Sequence, residues 1–130
     1  MSGIFSKIVA GEIPCYKVAE NERFLAFLDI NPLKEGHTLV IPKKETDYIF
    51  EIEEPEYQEL FSFARKVALA IGKVISCRKV GIAVIGLEVP HAHIHLVPLD
   101  GIYDIDFSKP KLKLTQDRFL EIARLINSNL

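Results

Sequence analysis

The chain has 130 residues, 48% apolar and 26% charged, which fits one compact domain over residues 1–130 with a core of its own. A net charge of -2 offers no overall attraction to nucleic acid or an anionic membrane, so any phosphate binding has to be local. Cys15 and Cys77 form no C-x-x-C pair, no apolar run approaches a membrane span of about 18 residues, and the N-terminus lacks a signal-peptide pattern. A cytoplasmic protein with free thiols is the expectation.

Residues 1–14 read as a short helical lead-in ended by Gly11 and Pro14. Residues 16–19 and 24–28 are β-rich runs joined by the polar stretch 20–23, a hairpin pattern, and residues 37–41 between Gly36 and Pro42 make a third strand. Over 55–75 the apolar residues Tyr57, Leu60, Phe61, Ala64, Val67, Ala68, Ile71 and Val74 recur at three- and four-residue steps, which predicts an amphipathic helix. Two further strands are predicted at 80–85 and 91–97, linked by a turn at 86–90. A last helix covers about 116–127, with Thr115 as its N-cap. Strands in succession with helices on one side predict an α+β domain built on an antiparallel sheet.

The segment His91-Ala92-His93-Ile94-His95-Leu96-Val97 alternates imidazoles with apolar residues, the side-chain period of a strand. Three rings then share one face, and Ala92, Ile94 and Leu96 point into the core. His37, the one other histidine, opens a different strand, so neighbouring strands would bring all four together. A lone histidine is usually structural, but several ionisable groups on one face make a poor core. Metal binding is the rival reading, because an H-x-H pair chelates well. At about 3.3 Å rise per residue, His91 and His95 stand about 13 Å apart, too far to join His93 on one tetrahedral ion; two of them plus His37 would suffice. In nucleophilic catalysis a central ring attacks phosphorus through one nitrogen while the other donates a hydrogen bond that fixes the tautomer. Neighbouring imidazolium charges would help keep that ring neutral, and N–H groups of the 86–90 turn would add donors where negative charge develops.

The histidine row, with Ile4-Phe5, Ile8-Val9-Ala10-Gly11-Glu12-Ile13-Pro14, Phe27-Leu28-Asp29-Ile30-Asn31-Pro32 and Gly36-His37-Thr38-Leu39-Val40-Ile41-Pro42-Lys43, resembles the histidine-triad (HIT) family. The likeness covers about residues 4–99, leaves about 100–130 as a C-terminal extension, and lies nearest the bacterial, nucleoside phosphoramidase-like branch. It implies a HIT-like antiparallel sheet with one long helix, a lead-in N-terminal helix and a C-terminal helix. It also implies a hydrolase or transferase acting at the α-phosphate of a purine nucleoside monophosphate derivative. By that resemblance His93 forms a nucleotidyl-histidine intermediate, His91 and His95 bind phosphate, and His37 supports the cluster. Asp29 would accept hydrogen bonds from the ribose hydroxyls, and Phe5, Ile8, Ile13, Phe27, Ile30 and Leu39 would border the base.

No cofactor and no metal are implied: where some relatives carry N-terminal zinc cysteines, this chain has Gly3 and Ser6. The implied partners are a purine nucleotide or nucleotide conjugate and a second copy in a two-fold homodimer whose C-terminal segments approach the partner's site, with no nucleic acid or membrane. One departure bears on chemistry. The family's Gly-Gln-Ser or Gly-Gln-Thr turn is here Gly86-Leu87-Glu88, in which Leu87 cannot donate a hydrogen bond and Glu88 adds negative charge. Glu88, if protonated, would replace the missing hydroxyl as the acid for the leaving group. The altered turn keeps a non-enzymatic nucleotide-binding or regulatory protein as the alternative, followed by a three-histidine metalloprotein.

Overall fold

The computed structural model describes residues 3–130. Helix α1 (Ile4–Val9) leads into strands β1 (Lys17–Glu20), β2 (Phe24–Leu28) and β3 (Thr38–Pro42). Helix α2 (Glu56–Val74), strands β4 (Lys79–Ala83) and β5 (Ile94–Leu99) and helix α3 (Gln116–Ser128) follow, with short 3-10 turns at Ile49–Glu51 and Ile102–Ile105. The strands form one sheet in the order β1-β2-β3-β5-β4, each neighbouring pair antiparallel. Because α2 carries the chain across the sheet before β4, β5 slots in beside β3, with Leu39 opposite His95. That pairing brings His37, one residue before β3, beside the histidine row. No helix among the described residues is long and apolar enough to cross a membrane.

The face of α2 that buries Leu60, Ala64, Val67 and Ile71 is the one its three- and four-residue spacing marks out, and it packs with Phe119, Ile122 and Ile126 of α3 against Val18, Ala26, Val40 and Ile94. Thr115 caps α3 by accepting the Arg118 N–H at 3.1 Å. The expectation of helices on one side holds for these two alone. Helix α1 lies on the opposite face, where Phe5 and Ile8 share one helical side and pack with Leu25, Phe27, Leu39 and Ile41. Strands β2 and β3 are consequently buried on both faces and read as continuous apolar runs.

The strand predicted at 91–97 is shorter than expected at its start. The ladder begins at Ile94, since the His91 and Ala92 N–H groups donate to the Val89 and Thr46 carbonyls, and β4 ends at Ala83. A ten-residue loop, 84–93, replaces the predicted five-residue turn and carries His91 and His93.

The turn before β3 fixes His37. Its N–H donates to the Lys34 carbonyl at 3.1 Å and its carbonyl accepts the Asp29 N–H at 3.0 Å, which closes the 29–37 loop. Gly36 sits at φ +90°, and a Cβ there would meet Ile75 Cγ1 at 2.8 Å. Arg118 clamps the same loop through Nε and Nη2 to Glu35 at 2.9 and 2.7 Å. Gly36→Ala is expected to cost about 2 kcal/mol or more in urea unfolding, from left-handed strain and the Ile75 clash together. An unchanged midpoint would show that the loop relaxes freely.

Candidate active site

A cavity of about 580 Å³ opens beside α1, at the end of β2, β3 and β5. Its apolar end holds Phe5, Ile8, Phe27 and Leu39, packed where α1 meets the sheet, together with Ile13 from the loop after α1. Asp29, His37, His93 and His95 line its polar end, Ile30 stands at the rim with 64% of its surface exposed, and Gly86, Leu87 and Glu88 form a lip. Leu87 is 89% exposed, so the lip presents an apolar side chain and a carboxylate in place of an amide and a hydroxyl.

His91 is the sequence-predicted residue that does not line this cavity. It is buried behind it, its Nε2–H donating to the Pro42 carbonyl at 2.7 Å. Its Nδ1 is buried without a hydrogen-bond partner among the described residues. The ring expected to bind phosphate faces β3 here, because the chain departs from the strand before Ile94. Its backbone remains part of the site.

Protonation of the other rings follows from what faces them. A carbonyl only accepts, so His93 Nδ1, 2.7 Å from the His91 carbonyl, carries hydrogen and a neutral His93 has its lone pair on Nε2. The Leu33 N–H points at His37 Nδ1 from 3.0 Å, so the hydrogen of a neutral His37 sits on Nε2. That Nε2–H reaches His95 Nδ1 at 3.0 Å, which in turn places the His95 hydrogen on Nε2. Asp29 Oδ2 lies 3.6 Å from His37 Nε2, while Oδ1 accepts the Asn31 N–H at 2.8 Å.

Burial pushes His37 down to about 4, helped by the nearby Lys111 charge. Burial likewise pushes His95 down to about 3, with His93 and His37 opposing a further positive charge. His91 is lowered chiefly by burial too, and burial raises the Asp29 carboxyl. Two rings of the polar end, His37 and His95, are thus held neutral beside the Asp29 carboxyl.

Phe107 and Lys111 are among the cavity-lining residues outside the expected site set. Both come from the segment after β5 and lie next to His95 and Asp29. The Phe107 ring meets the His95 ring edge-on at 4.7 Å between centroids and the His37 ring at 6.1 Å. The alternation of lysines with Pro110 and apolar residues at 109–114 was the one available signal, and it also describes an exposed surface strand.

A stability dependence on pH follows. Between the ordinary histidine value of 6.5 and about 4, the unfolded chain takes up protons that the native His37 and His95 refuse. Stability should fall as pH drops through that window; Asp29, one raised carboxyl against two lowered imidazoles, acts the other way nearer its ordinary 3.8. The urea midpoint is expected lower at pH 5 than at pH 7, with a smaller drop in His95→Gln. Equal midpoints would contradict the buried neutral rings.

Comparison with known proteins agrees with this arrangement. Residues 10–102 match the family model described as the HIT domain. The chain is 35% identical to a HIT-like protein of Borreliella burgdorferi, covering 98% of this chain and 97% of that one. It is 33% identical to an adenosine 5'-monophosphoramidase of Schizosaccharomyces pombe, covering 100% and 99%. Among solved structures, a Hit-like protein involved in cell-cycle regulation from Bartonella henselae superposes with TM-score 0.84 at 27% identity, over 99% of this chain and 97% of that one. A zinc-bound histidine triad family protein from Mycobacterium smegmatis gives TM-score 0.80 at 30% identity, over 99% and 93%. With the sheet, the histidine row and the matched residues in agreement, the chain belongs to the histidine-triad (HIT) family.

Proposed function

We infer that the protein binds a purine nucleoside monophosphate derivative and hydrolyses or transfers it at the α-phosphorus. One observation carries this reading: the hydrogen bond from His93 Nδ1 to the His91 carbonyl leaves an unprotonated Nε2 on a ring at the wall of a nucleoside-sized cavity. Nε2 attacks phosphorus, the bond from phosphorus to the leaving nitrogen or oxygen breaks, and the leaving group takes a proton from solvent as it departs. Water then attacks the nucleotidyl-histidine, returning the nitrogen lone pair and releasing the nucleoside monophosphate. His95 offers its Nε2–H to the phosphate oxygens, His37 holds His95, and Asp29 accepts from the ribose hydroxyls. The apolar slot takes the base by area and stacking, so it reads the base loosely. Similarity to the fission-yeast phosphoramidase supports a P–N bond as one target.

A cytoplasmic location and a two-fold homodimer complete the proposal. The dimer is favoured by the position of β4 at the edge of the sheet among the described residues, where Ile82, with Val84 and Ile85 just beyond the strand, is exposed.

Binding without turnover is the second reading, favoured by the lip, where Leu87 offers a leaving group no proton. Metal binding fits less well. Among the described residues, the ligand atoms that converge within 4.8 Å belong to Asp29, His37 and His95, so the histidine row contributes His95 alone. A cation there needs the lone pair of His37 Nε2, but the Leu33 N–H on Nδ1 keeps the hydrogen on Nε2.

Mass spectrometry after quenching with an adenosine phosphoramidate should find one nucleotidyl group on the wild-type chain and none on His93→Ala, whose turnover falls by at least about 10³-fold. A His93→Ala variant that keeps wild-type turnover rules the mechanism out, and tight binding with no turnover by either protein favours the second reading. Glu88 is exposed on the lip, so Glu88→Gln is expected to leave the single-turnover rate unchanged; a large loss would make Glu88 the acid.

A further inference from the structure

The segment after β5 folds back over its own site. Asp104 gathers the Asp100 and Gly101 N–H groups at 2.8 and 2.9 Å and pairs with Lys34 at 3.4 Å, which turns the chain toward the 29–37 loop. Lys111 Nζ then donates to the Phe107 and Lys109 carbonyls at 2.5 and 2.9 Å, and the Leu112 N–H donates to the Pro32 carbonyl at 2.8 Å. The result is a strap over 102–112, closed on itself and sewn to the loop that presents Asp29 and His37. Its one aromatic side chain in the cavity is Phe107, set edge-on to both His37 and His95. Phe107 and Lys111 lie outside the residues matched to the family domain.

We propose that Phe107 is a positioning residue of the active site: its ring shields the hydrogen bond between His37 and His95 and so holds His95 with its hydrogen on Nε2. The inference rests on the proposed nucleotide chemistry for its consequence in turnover. Its physical basis is separate. A hydrogen bond between two neutral rings is worth little where water competes for both partners, and far more where water is kept out. His37 is 1% exposed and His95 8%, and Phe107 covers the strap side of both. Without that ring, water reaches His95 Nδ1, the second tautomer becomes accessible, and the Nε2–H offered to a phosphate is no longer fixed. The charged or titratable groups facing the pair are Asp29 from the 29–37 loop, His93 from the loop before β5, and Lys111 from the strap.

Lys111 has a related part. With two of its three N–H groups spent on the strap carbonyls, it holds Phe107 in place. Its third N–H and its charge remain at the cavity wall.

The test is long-range ¹⁵N imidazole spectroscopy of the ligand-free protein, followed by kinetics. In the wild type His95 is expected as a single Nε2–H tautomer that stays neutral down to about pH 3. Phe107→Ala should give a tautomer mixture and raise the His95 midpoint by about one unit or more, and Phe107→Leu, which keeps an apolar cover, should restore most of the wild-type signature. With an adenosine phosphoramidate at neutral pH, Phe107→Ala should lower kcat about tenfold while KM holds within about twofold. A Phe107→Ala protein with the wild-type His95 tautomer and midpoint overturns the proposal. Should that variant not fold, Lys111→Met keeps the ring but frees the strap, and the same changes are expected at smaller size; an unaltered His95 there overturns it equally. The spectra need no substrate. Failure of the wild type to turn over counts against the proposed function and leaves the His95 result standing.

Discussion

The Leu33 N–H that meets His37 Nδ1 at 3.0 Å decides more of this site than any one side chain does. A backbone amide cannot accept, so it fixes which nitrogen of His37 bears hydrogen, and through the 3.0 Å contact it fixes His95 as well. The His91 carbonyl does the complementary thing to His93. Two backbone groups thereby sort three chemically identical side chains into a base with a free lone pair, a donor, and a support for the donor. A second proton on His37 would confront the Leu33 N–H. One on His95 Nδ1 would confront the His37 Nε2–H. That conflict and the scarcity of water act in the same direction, toward neutral rings.

Such fixing requires the backbone to be held, and the fold spends its best-packed parts on it. The 29–37 loop is tied at four points: Gly36 in left-handed geometry, the Arg118–Glu35 clamp to α3, the Lys34–Asp104 pair and the Leu112–Pro32 bond to the strap. The loop before β5 is tied by the Ala92 N–H to Thr46 and by the His91 ring to Pro42. The His91 ring, bonded to Pro42, anchors the residue whose carbonyl meets His93 Nδ1.

Much of this was legible in the sequence because it depends on side-chain period. The alternation 91–97 put His93 and His95 on the cavity side with Ala92, Ile94 and Leu96 in the core, and the spacing in α2 marked its buried face. The antiparallel α+β sheet followed from the succession of strands. Three things were not legible. His91 carries the same alternating pattern but precedes the ladder, and where a ladder starts depends on what the neighbouring backbone can pair with. Helix α1 has too few residues for its apolar face to say which side of the sheet it covers. Phe107 is remote from the histidines in sequence and reaches them through backbone contacts, Leu112 to Pro32 and Asp104 to the 100–101 turn, which have no side-chain signature.

The histidines that face the cavity divide their tautomers between them, and His93 is where that division meets the substrate side. A long-range ¹⁵N imidazole spectrum of the ligand-free protein should show the His93 hydrogen on Nδ1 and the free lone pair on Nε2. A His93 ring with its hydrogen on Nε2 would leave no nucleophile facing the cavity and would contradict the account.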